Sequence, residues 1–214
     1  MIVTDCIKEY FSLMKKKPEF FVPSDVYPIV TDMPVIEAFQ KESGKKIGVL
    51  YKSRFNTLVA DLIKGENGYF IYERIIPTAT GRGVVCVPVT DGKLLLLRQY
   101  RHSIRNIQLC FPRGFGEDGI SSEENAKKEL SEEIGSTVKS CVYLGSLTPD
   151  SGLIGAECDV FLCFLESYKK QSSEEGIKEI LLLEETEIER KIKNREITDG
   201  FTLSAYMLYK TNKN

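Results

Sequence analysis

Three glutamates near the middle of the chain have the residue type and the spacing of a metal-binding group. Glu129, Glu132 and Glu133 stand at positions i, i+3 and i+4, which share one face of a helix. Carboxylate oxygens are preferred ligands of Mg²⁺, and water and substrate phosphate oxygens fill its remaining sites. Three glutamates alone are more often a solvated acidic helix face, so the metal interpretation depends on the residues around them.

A glycine-rich loop leads directly into this helix. Pro112 opens the loop, and Gly114, Gly116 and Gly119 follow it. Glycine lets backbone carbonyls and amides approach a ligand closely, and a helix start favours anions. The loop and the helix together therefore predict a site for a metal ion and phosphate.

Residues 114–135 resemble the Nudix box, whose usual pattern is G-x5-E-x7-R-E-U-x-E-E-x-G-U, with U an aliphatic residue. The positions that match it without a gap are Gly114, Glu129, Leu130, Glu132, Glu133 and Gly135. Four flanking segments resemble the ADP-ribose pyrophosphatase branch of that family: residues 94–101, 111–115, 147–152 and 196–202. The resemblance covers about residues 81–209.

Three positions depart from the box. Ile120 stands where the box has its first glutamate, Lys128 where it has arginine, and Ser136 where it has the final aliphatic residue. In the family the arginine helps to orient the glutamates; lysine keeps the charge but loses the planar, multi-donor guanidinium. These departures leave two hypotheses open: an enzyme with altered metal affinity, or a non-catalytic Nudix-fold module that binds a nucleotide sugar or a partner.

The resemblance implies an α+β Nudix fold, with a mixed β-sheet sandwiched between helices and an N-terminal accessory helix and strands. It implies divalent-metal-dependent hydrolysis of the pyrophosphate link in a nucleoside diphosphate derivative, with ADP-ribose or a nucleotide sugar favoured. The implied metal is Mg²⁺, with Mn²⁺ as the alternative, and the implied ligands are Glu129, Glu133, Glu132 and the carbonyl of Arg113. Hydrolysis of nucleoside triphosphates uses the same box, but the flanking matches disfavour it.

The general base is the least determined role. The resemblance implies catalytic roles for Glu132 and Glu133, and it points to a late loop that contains Glu174 and Glu175. Glu175 is the favoured base, although both side chains could equally belong to a solvated loop.

Arginines around the box are candidates for binding substrate phosphates, because a guanidinium can donate two parallel hydrogen bonds to phosphate. The substrate-binding candidates are Arg98, Arg101 and Arg113, together with the backbone of Gly114. Arg98 lies in a predicted strand, and the strand period alone does not decide which face it occupies.

The elements that must position these residues are strands and helices without regular βαβ repetition, which favours α+β. We predict a hairpin of strands 83–89 and 93–100, a helix capped by Ser121 or Ser122 that ends before Gly135, strands 140–147, 158–165 and 177–183, and helices 184–195 and 199–209.

The first third of the chain has a different pattern. Residues 5–16 have helical spacing, residues 18–34 are rich in breakers, and residues 35–40 are ambiguous. Residues 46–63 read as one or two strands, and the aromatic run 68–76 as another. We therefore predict an accessory segment, residues 1–78, for dimerisation and nucleobase recognition, followed by a Nudix hydrolase domain, residues 79–214.

Composition narrows the class of protein. A chain of 214 residues with a net charge of −2 allows a core domain with an accessory segment, and it gives no basic footprint for nucleic acid. No apolar run could span a membrane, and the start lacks the order of a secretory signal. The six cysteines include no CxxC pair, which favours buried thiols in a reducing cytoplasm. We expect a cytoplasmic homodimer that binds a small nucleotide.

Overall fold

The computed structural model describes residues 5–169 and 176–213. The chain forms two compact units. The N-terminal unit contains the described residues up to 80 together with 150–156, and the C-terminal unit contains residues 81–149 and those from 157 onward. The segment 150–156 therefore belongs to the N-terminal unit, although the residues before and after it belong to the C-terminal unit.

The N-terminal unit combines two helices with an antiparallel sheet. Its elements are α1 (Asp5–Lys16), a 3₁₀ turn (Pro18–Phe20), α2 (Met33–Ser43), β1 (Gly48–Lys52), β2 (Asn56–Gly65) and β3 (Gly68–Pro77). The strand order is β1-β2-β3. The ambiguous segment 35–40 is thus helical, and it follows an N-cap in which the side chain of Asp32 accepts from the amide of Val35 at 3.3 Å.

The segment 150–156 pairs with the outer edge of β3. The amide of Ile75 donates to the carbonyl of Leu153 at 2.8 Å, and the amide of Gly155 donates to the carbonyl of Ile75 at 3.0 Å. The hydroxyl of Tyr72 also donates to the carbonyl of Gly152 at 2.6 Å. These contacts cover part of an otherwise open sheet edge.

A buried ionic cluster joins α1 to the sheet of this unit. Asp61 on β2 is 2% exposed; it accepts hydrogen bonds from the hydroxyl of Tyr10 and, at 2.5 Å, from Nε of Arg74. Arg74 also donates to the carbonyl of Phe20 at 2.7 Å. Burial raises the pKa of Tyr10, and the neighbouring Asp61 raises it further. The negative charge of Asp61 is therefore matched within its own unit.

A mixed sheet forms the centre of the C-terminal unit. Its strands are β4 (Gly83–Thr90), β5 (Lys93–Arg101), β6 (Asn106–Cys110), β7 (Arg113–Gly114), β8 (Thr137–Leu147), β9 (Cys158–Ser167) and β10 (Ile177–Leu183). The order is β10-β5-β4-β9-β8, with β6 paired to β5 and β7 to β4. Strands β4 and β9 are parallel, and the other described pairs are antiparallel.

Helices cover both faces of this sheet: α3 (Ser122–Ile134), α4 (Glu185–Lys193) and α5 (Gly200–Asn212). The buried run of β5 shows why. Leu94 and Leu96 pack in the cluster that contains residues of α4 and α5, whereas Leu95 and Leu97 pack in the cluster that contains residues of α3. A strand buried on both faces reads as a continuous apolar run. The predicted α+β fold with a sheet between helices is confirmed.

Most predicted boundaries in this unit hold within a few residues. Asp91 and Gly92, with φ of 50° and 75°, form the two-residue turn between β4 and β5, as a type I′ hairpin requires. Strand β8 begins at Thr137, three residues before the prediction, and α5 extends to Asn212. Among the described helices, none has the length and apolar character needed to cross a membrane. All six cysteines are described, and no disulfide joins them.

Candidate active site

Helix α3 is held in place by both its ends and its apolar face. Ser121 and Glu124 form a reciprocal capping box: Oγ of Ser121 accepts from the amide of Glu124 at 3.2 Å, and the carboxylate of Glu124 accepts from the amide of Ser121 at 2.9 Å. The helix ends at Gly135 in the left-handed conformation. Ala126 and Leu130 are fully buried against the sheet. A rigid helix fixes the direction of its carboxylates.

The three box glutamates have different environments. Glu133 is 1% exposed, Glu129 is half-buried, and the side chain of Glu132 is 60% exposed. Glu132 lies 3.8 Å from Nζ of Lys128, one helical turn earlier. Glu129 and Glu133 are thus the two carboxylates that turn inward, and Glu132 faces solvent.

The loop before α3 approaches Glu129 at Gly114. A Cβ placed on Gly114 would lie 1.9 Å from Oε1 of Glu129, far inside van der Waals contact, so any other residue here would force the Glu129 carboxylate to move. The carboxylate therefore lies directly on the backbone of Gly114, beside the peptide that carries the carbonyl of Arg113.

This arrangement fits a hydrated divalent cation. No group of three His, Cys, Asp or Glu side chains converges as a complete metal cage anywhere in residues 5–169 and 176–213. Mg²⁺ does not require one, since it usually takes one or two protein carboxylates and keeps water and phosphate oxygens as its other ligands. Glu129, Glu133 and the carbonyl of Arg113 could supply such a partial set of oxygen donors.

Arg113 is anchored at the start of α5. Its Nη1 donates to Asp199 at 3.0 Å, and its guanidinium lies 4.1 Å from the ring centre of Phe201. Asp199 also accepts from the amide of Thr202 at 2.9 Å and so caps α5. Burial lowers the pKa of Arg113, and Asp199 opposes that shift. Asp199 was not among the predicted site residues, although its position before Gly200 carried the signal of an N-cap.

Arg101 reaches the same region from β5. Its Nη2 donates to the sulfur of Cys110 at 3.2 Å, and its Nε is buried without a hydrogen-bond partner among the described residues. Burial raises the pKa of Cys110, while the charges of Arg101 and Arg113 oppose that rise. Two of the predicted phosphate-binding arginines thus act on one buried thiol.

Arg98 lies on the other face of the sheet. It is exposed, forms an ion pair with Glu179 at 3.0 Å, and lines a cavity of about 570 Å³ with Leu109, Leu181 and Lys191. Leu109 and Leu181 pack with the cluster of α4 and α5. The structure therefore brings Arg113 and Gly114 together with Glu129, and it leaves Arg98 on the face opposite α3.

The candidate bases Glu174 and Glu175 lie outside the described residues. The three departures from the box lie within them. Lys128 donates to the carboxylate of Glu117 in the preceding loop, and Ile120 is half-buried. Ser136 is 8% exposed, and its hydroxyl has no hydrogen-bond partner in the described part of the chain.

The chain belongs to the Nudix family: the NUDIX domain matches residues 79–199, more than half of its length. It is 30% identical over 113 residues to the ADP compounds hydrolase NudE of Escherichia coli strain K12, which covers 52% of this chain and 60% of that protein. It is 28% identical over 127 residues to the ADP-ribose pyrophosphatase of Bacillus subtilis strain 168, covering 57% of this chain and 68% of that protein. The alignment thus spans less than two thirds of the first relative.

The fold also has a close counterpart among solved structures. The crystal structure of an ADP compounds hydrolase aligns with a TM-score of 0.66 over 78% of this chain and 90% of that chain, at 21% identity. At that identity the likeness concerns the fold, and it agrees with the mixed sheet between helices described above.

Proposed function

We propose that this protein hydrolyses the pyrophosphate link of a nucleoside diphosphate derivative, with ADP-ribose or another ADP compound as substrate and a divalent cation, Mg²⁺ or Mn²⁺, as cofactor. One observation carries the proposal. The Glu129 carboxylate lies on the backbone of Gly114 and shares its helix with the buried Glu133, which is a donor set suited to a hydrated hard cation. The names of both relatives suggest the substrate class.

Each residue of the site has a proposed task. The cation would be held by Glu129, Glu133 and the carbonyl of Arg113. Glu132 would position a water molecule on the solvent side of the cation. A bound divalent cation supplies charge neutralisation for the diphosphate and lowers the pKa of coordinated water. Arg101 and Arg113 would bind phosphate oxygens, because a guanidinium can donate two parallel hydrogen bonds to phosphate.

The proton of the attacking water needs an acceptor. We assign that role to Glu175, with Glu174 and Glu132 as the competing candidates. Glu132 is exposed and lies 3.8 Å from Nζ of Lys128 on its own helix. Variants at the three positions separate these candidates. Replacing the true base should lower kcat steeply, and the loss of kcat should be smallest at high pH, where hydroxide is more abundant.

The proposal is tested with purified protein, ADP-ribose and Mg²⁺, with products separated by chromatography. We expect AMP and ribose 5-phosphate, and no product when the cation is removed by a chelator. Release of inorganic pyrophosphate from nucleoside triphosphates, with ADP-ribose left intact, would contradict the proposal and favour the triphosphatase alternative.

The departures at Ile120 and Lys128 support a second candidate, a non-catalytic nucleotide-sugar-binding or regulatory module. Such a protein would bind ADP-ribose in a calorimetric titration yet give no turnover with either Mg²⁺ or Mn²⁺. Turnover with either cation would exclude it.

We further propose that the protein is a homodimer that associates through the N-terminal unit. Strand β3 is an edge strand that segment 150–156 covers only in part, and it exposes Tyr69, Phe70 and Tyr72 by 45%, 38% and 40%. Exposed aromatic residues beside open backbone groups favour association, and the same aromatic strand is our candidate for nucleobase recognition. Light scattering of wild type and Tyr69→Glu tests the dimer: a dimeric variant would contradict this interface.

A cytoplasmic location is proposed on the cysteines. Cys86, Cys110 and Cys163 are buried in the core of the C-terminal unit, where oxidation would disturb packing, so a reducing compartment suits the chain. Fractionation of cells that produce a tagged full-length chain would test this location.

A further inference from the structure

The loop between β7 and α3 is fastened to the helix by more than the contact at Gly114. The side-chain amide of Asn125, 1% exposed, donates to the carbonyl of Phe115 at 2.9 Å. This bond links the second turn of α3 to the loop residue that follows Gly114. A buried hydrogen bond to backbone restricts the loop at that point.

The next residues of the loop are held on their other side by Gly81. A Cβ on Gly116 would lie 1.7 Å from the carbonyl oxygen of Gly81, and a Cβ on Gly81 would lie 2.2 Å from the carbonyl oxygen of Glu117. The backbone at 116–117 therefore runs in close contact with Gly81. That contact fixes where the side chain of Glu117 begins.

From this position Glu117 meets the lysine that replaces the box arginine. Nζ of Lys128 donates to the carboxylate of Glu117 and lies 3.8 Å from Oε1 of Glu132. The lysine thus stands between a loop carboxylate and a helix carboxylate. Ile120, at the position where the box has its own glutamate, offers no charge to this lysine.

We propose that Glu117 and Lys128 are positioning residues that fasten the loop to α3, with Glu117 supplying the carboxylate that Ile120 lacks. Through this pair Lys128 also keeps Glu132 on the solvent side of the helix, away from Glu129 and Glu133. The inference rests on the proposed function only for its effect on catalysis, because the fastening itself is a property of the chain without metal or substrate.

A merely structural role would look different. Exposed ion pairs contribute little to stability, so a loss of melting temperature would not distinguish this pair from any other on the surface. The chain offers a matched control in Lys127 and Glu123, which pair at 2.5 Å within α3 with side chains 43% and 48% exposed. The corresponding values for Lys128 and Glu117 are 44% and 46%. Of these two pairs, only Lys128 and Glu117 connect the helix to the loop.

The experiment compares Glu117→Gln, Lys128→Met, Lys128→Arg and the control Glu123→Gln. Hydrogen exchange of the amides at 114–119 is followed by mass spectrometry without metal, and Mn²⁺ binding is followed by calorimetry without substrate. We expect loop exchange to rise about fivefold in Glu117→Gln and Lys128→Met, because the loop opens locally. We expect Mn²⁺ affinity in these two variants to fall about tenfold, as for residues that orient metal ligands.

The conservative and control variants complete the test. Lys128→Arg keeps a cation within reach of Glu117 and is expected to exchange like the wild type, as is Glu123→Gln. In turnover of ADP-ribose, Glu117→Gln should raise the Mg²⁺ concentration needed for half-maximal rate. The KM for ADP-ribose, measured at saturating Mg²⁺, should stay nearly unchanged.

Two results have separate meanings. Loop exchange in Glu117→Gln no faster than in Glu123→Gln would overturn the positioning role, whatever the enzyme's activity. Faster loop exchange in a protein that does not hydrolyse ADP-ribose would uphold the positioning role and refute the proposed function.

Discussion

Each unit of this chain buries a carboxylate almost completely, and the two carboxylates have opposite surroundings. Asp61 in the N-terminal unit accepts from Tyr10 and from the cation of Arg74. Glu133 in the C-terminal unit stands one helical turn from Glu129, so two negative charges are close together there. Burial of a charge is costly unless it is compensated. The first arrangement pairs the carboxylate with a cation of its own unit, whereas the second places two carboxylates close together, where we propose that a cation from solution binds.

The largest expected effect follows from the concentrated carboxylates. Glu133→Gln should lower kcat for ADP-ribose by about a thousandfold or more, a loss of about 4 kcal/mol in transition-state stabilisation. The melting temperature without metal should stay within about 3 °C of the wild type, because glutamine fills the same space and relieves repulsion with Glu129. Steady-state kinetics and thermal unfolding measure the two effects.

Glu187→Gln is the matched control for that prediction. Glu187 is an exposed glutamate on α4, and its variant should keep both rate and stability. A Glu133→Gln enzyme with the wild-type rate would show that this carboxylate is not a metal ligand. The proposed difference in role between Glu133 and Asp61 would then be wrong.

The second effect concerns stability. Asp61→Asn should destabilise the N-terminal unit by about 3–5 kcal/mol, because the guanidinium of Arg74 is left buried without its counter-charge. Urea unfolding followed by circular dichroism measures the loss. A change below about 1 kcal/mol, typical of a surface pair, would show that the cluster is not compensated as described.

A third effect is a gain. Ser136→Ala should stabilise the protein by about 1 kcal/mol, since it removes a buried hydroxyl that lacks a hydrogen bond among the described residues. Thermal unfolding measures the gain, and Ser140→Ala, at an exposed position of β8, is the control. Destabilisation by Ser136→Ala would mean that this hydroxyl contributes to the structure after all.

The smallest effect concerns a carboxylate with partners like those of Asp61 but near the surface. Glu185 accepts from the hydroxyl of Tyr209 at 2.8 Å, from Lys210 at 3.0 Å and from Lys213. Lys213, Tyr209 and Lys210 together lower the pKa of Glu185 to about 2. A lowered pKa contributes stability that is present above the unfolded value of about 4.3 and is lost as the pH falls toward the folded value.

Glu185→Gln should therefore lower the melting temperature at pH 7 by about 1–2 °C. The difference from wild type should shrink as the pH falls from about 4.5 to about 2. Melting curves across this range measure it, with Glu187→Gln as the control on the same helix. A difference that is constant with pH would exclude a charge effect.

Sequence reasoning located the loop and the helix because their signals are local. The helix start at Ser121 and its end at Gly135 depend on residues within a few positions. The strand at 93–100 was predicted from its local pattern, but its burial on both faces is visible only in the structure. The segment 35–40 stayed ambiguous because a short apolar run fits a strand or a helix. Arg98 could not be assigned to a face, because the strand period leaves the choice to the packing of β5 against its neighbours.

The sequence by itself determined the Nudix family, the sheet between helices and the glutamate helix behind a glycine loop, since these depend on spacing and residue type along contiguous segments. Only the tertiary structure separated Glu132 from the inward Glu129 and Glu133, joined Arg113 to Asp199 and brought Glu117 to Lys128. Helical spacing places three glutamates on one face, but contacts with distant segments decide which carboxylates are buried. Those contacts join residues that are well separated along the chain, so no local sequence pattern predicts them.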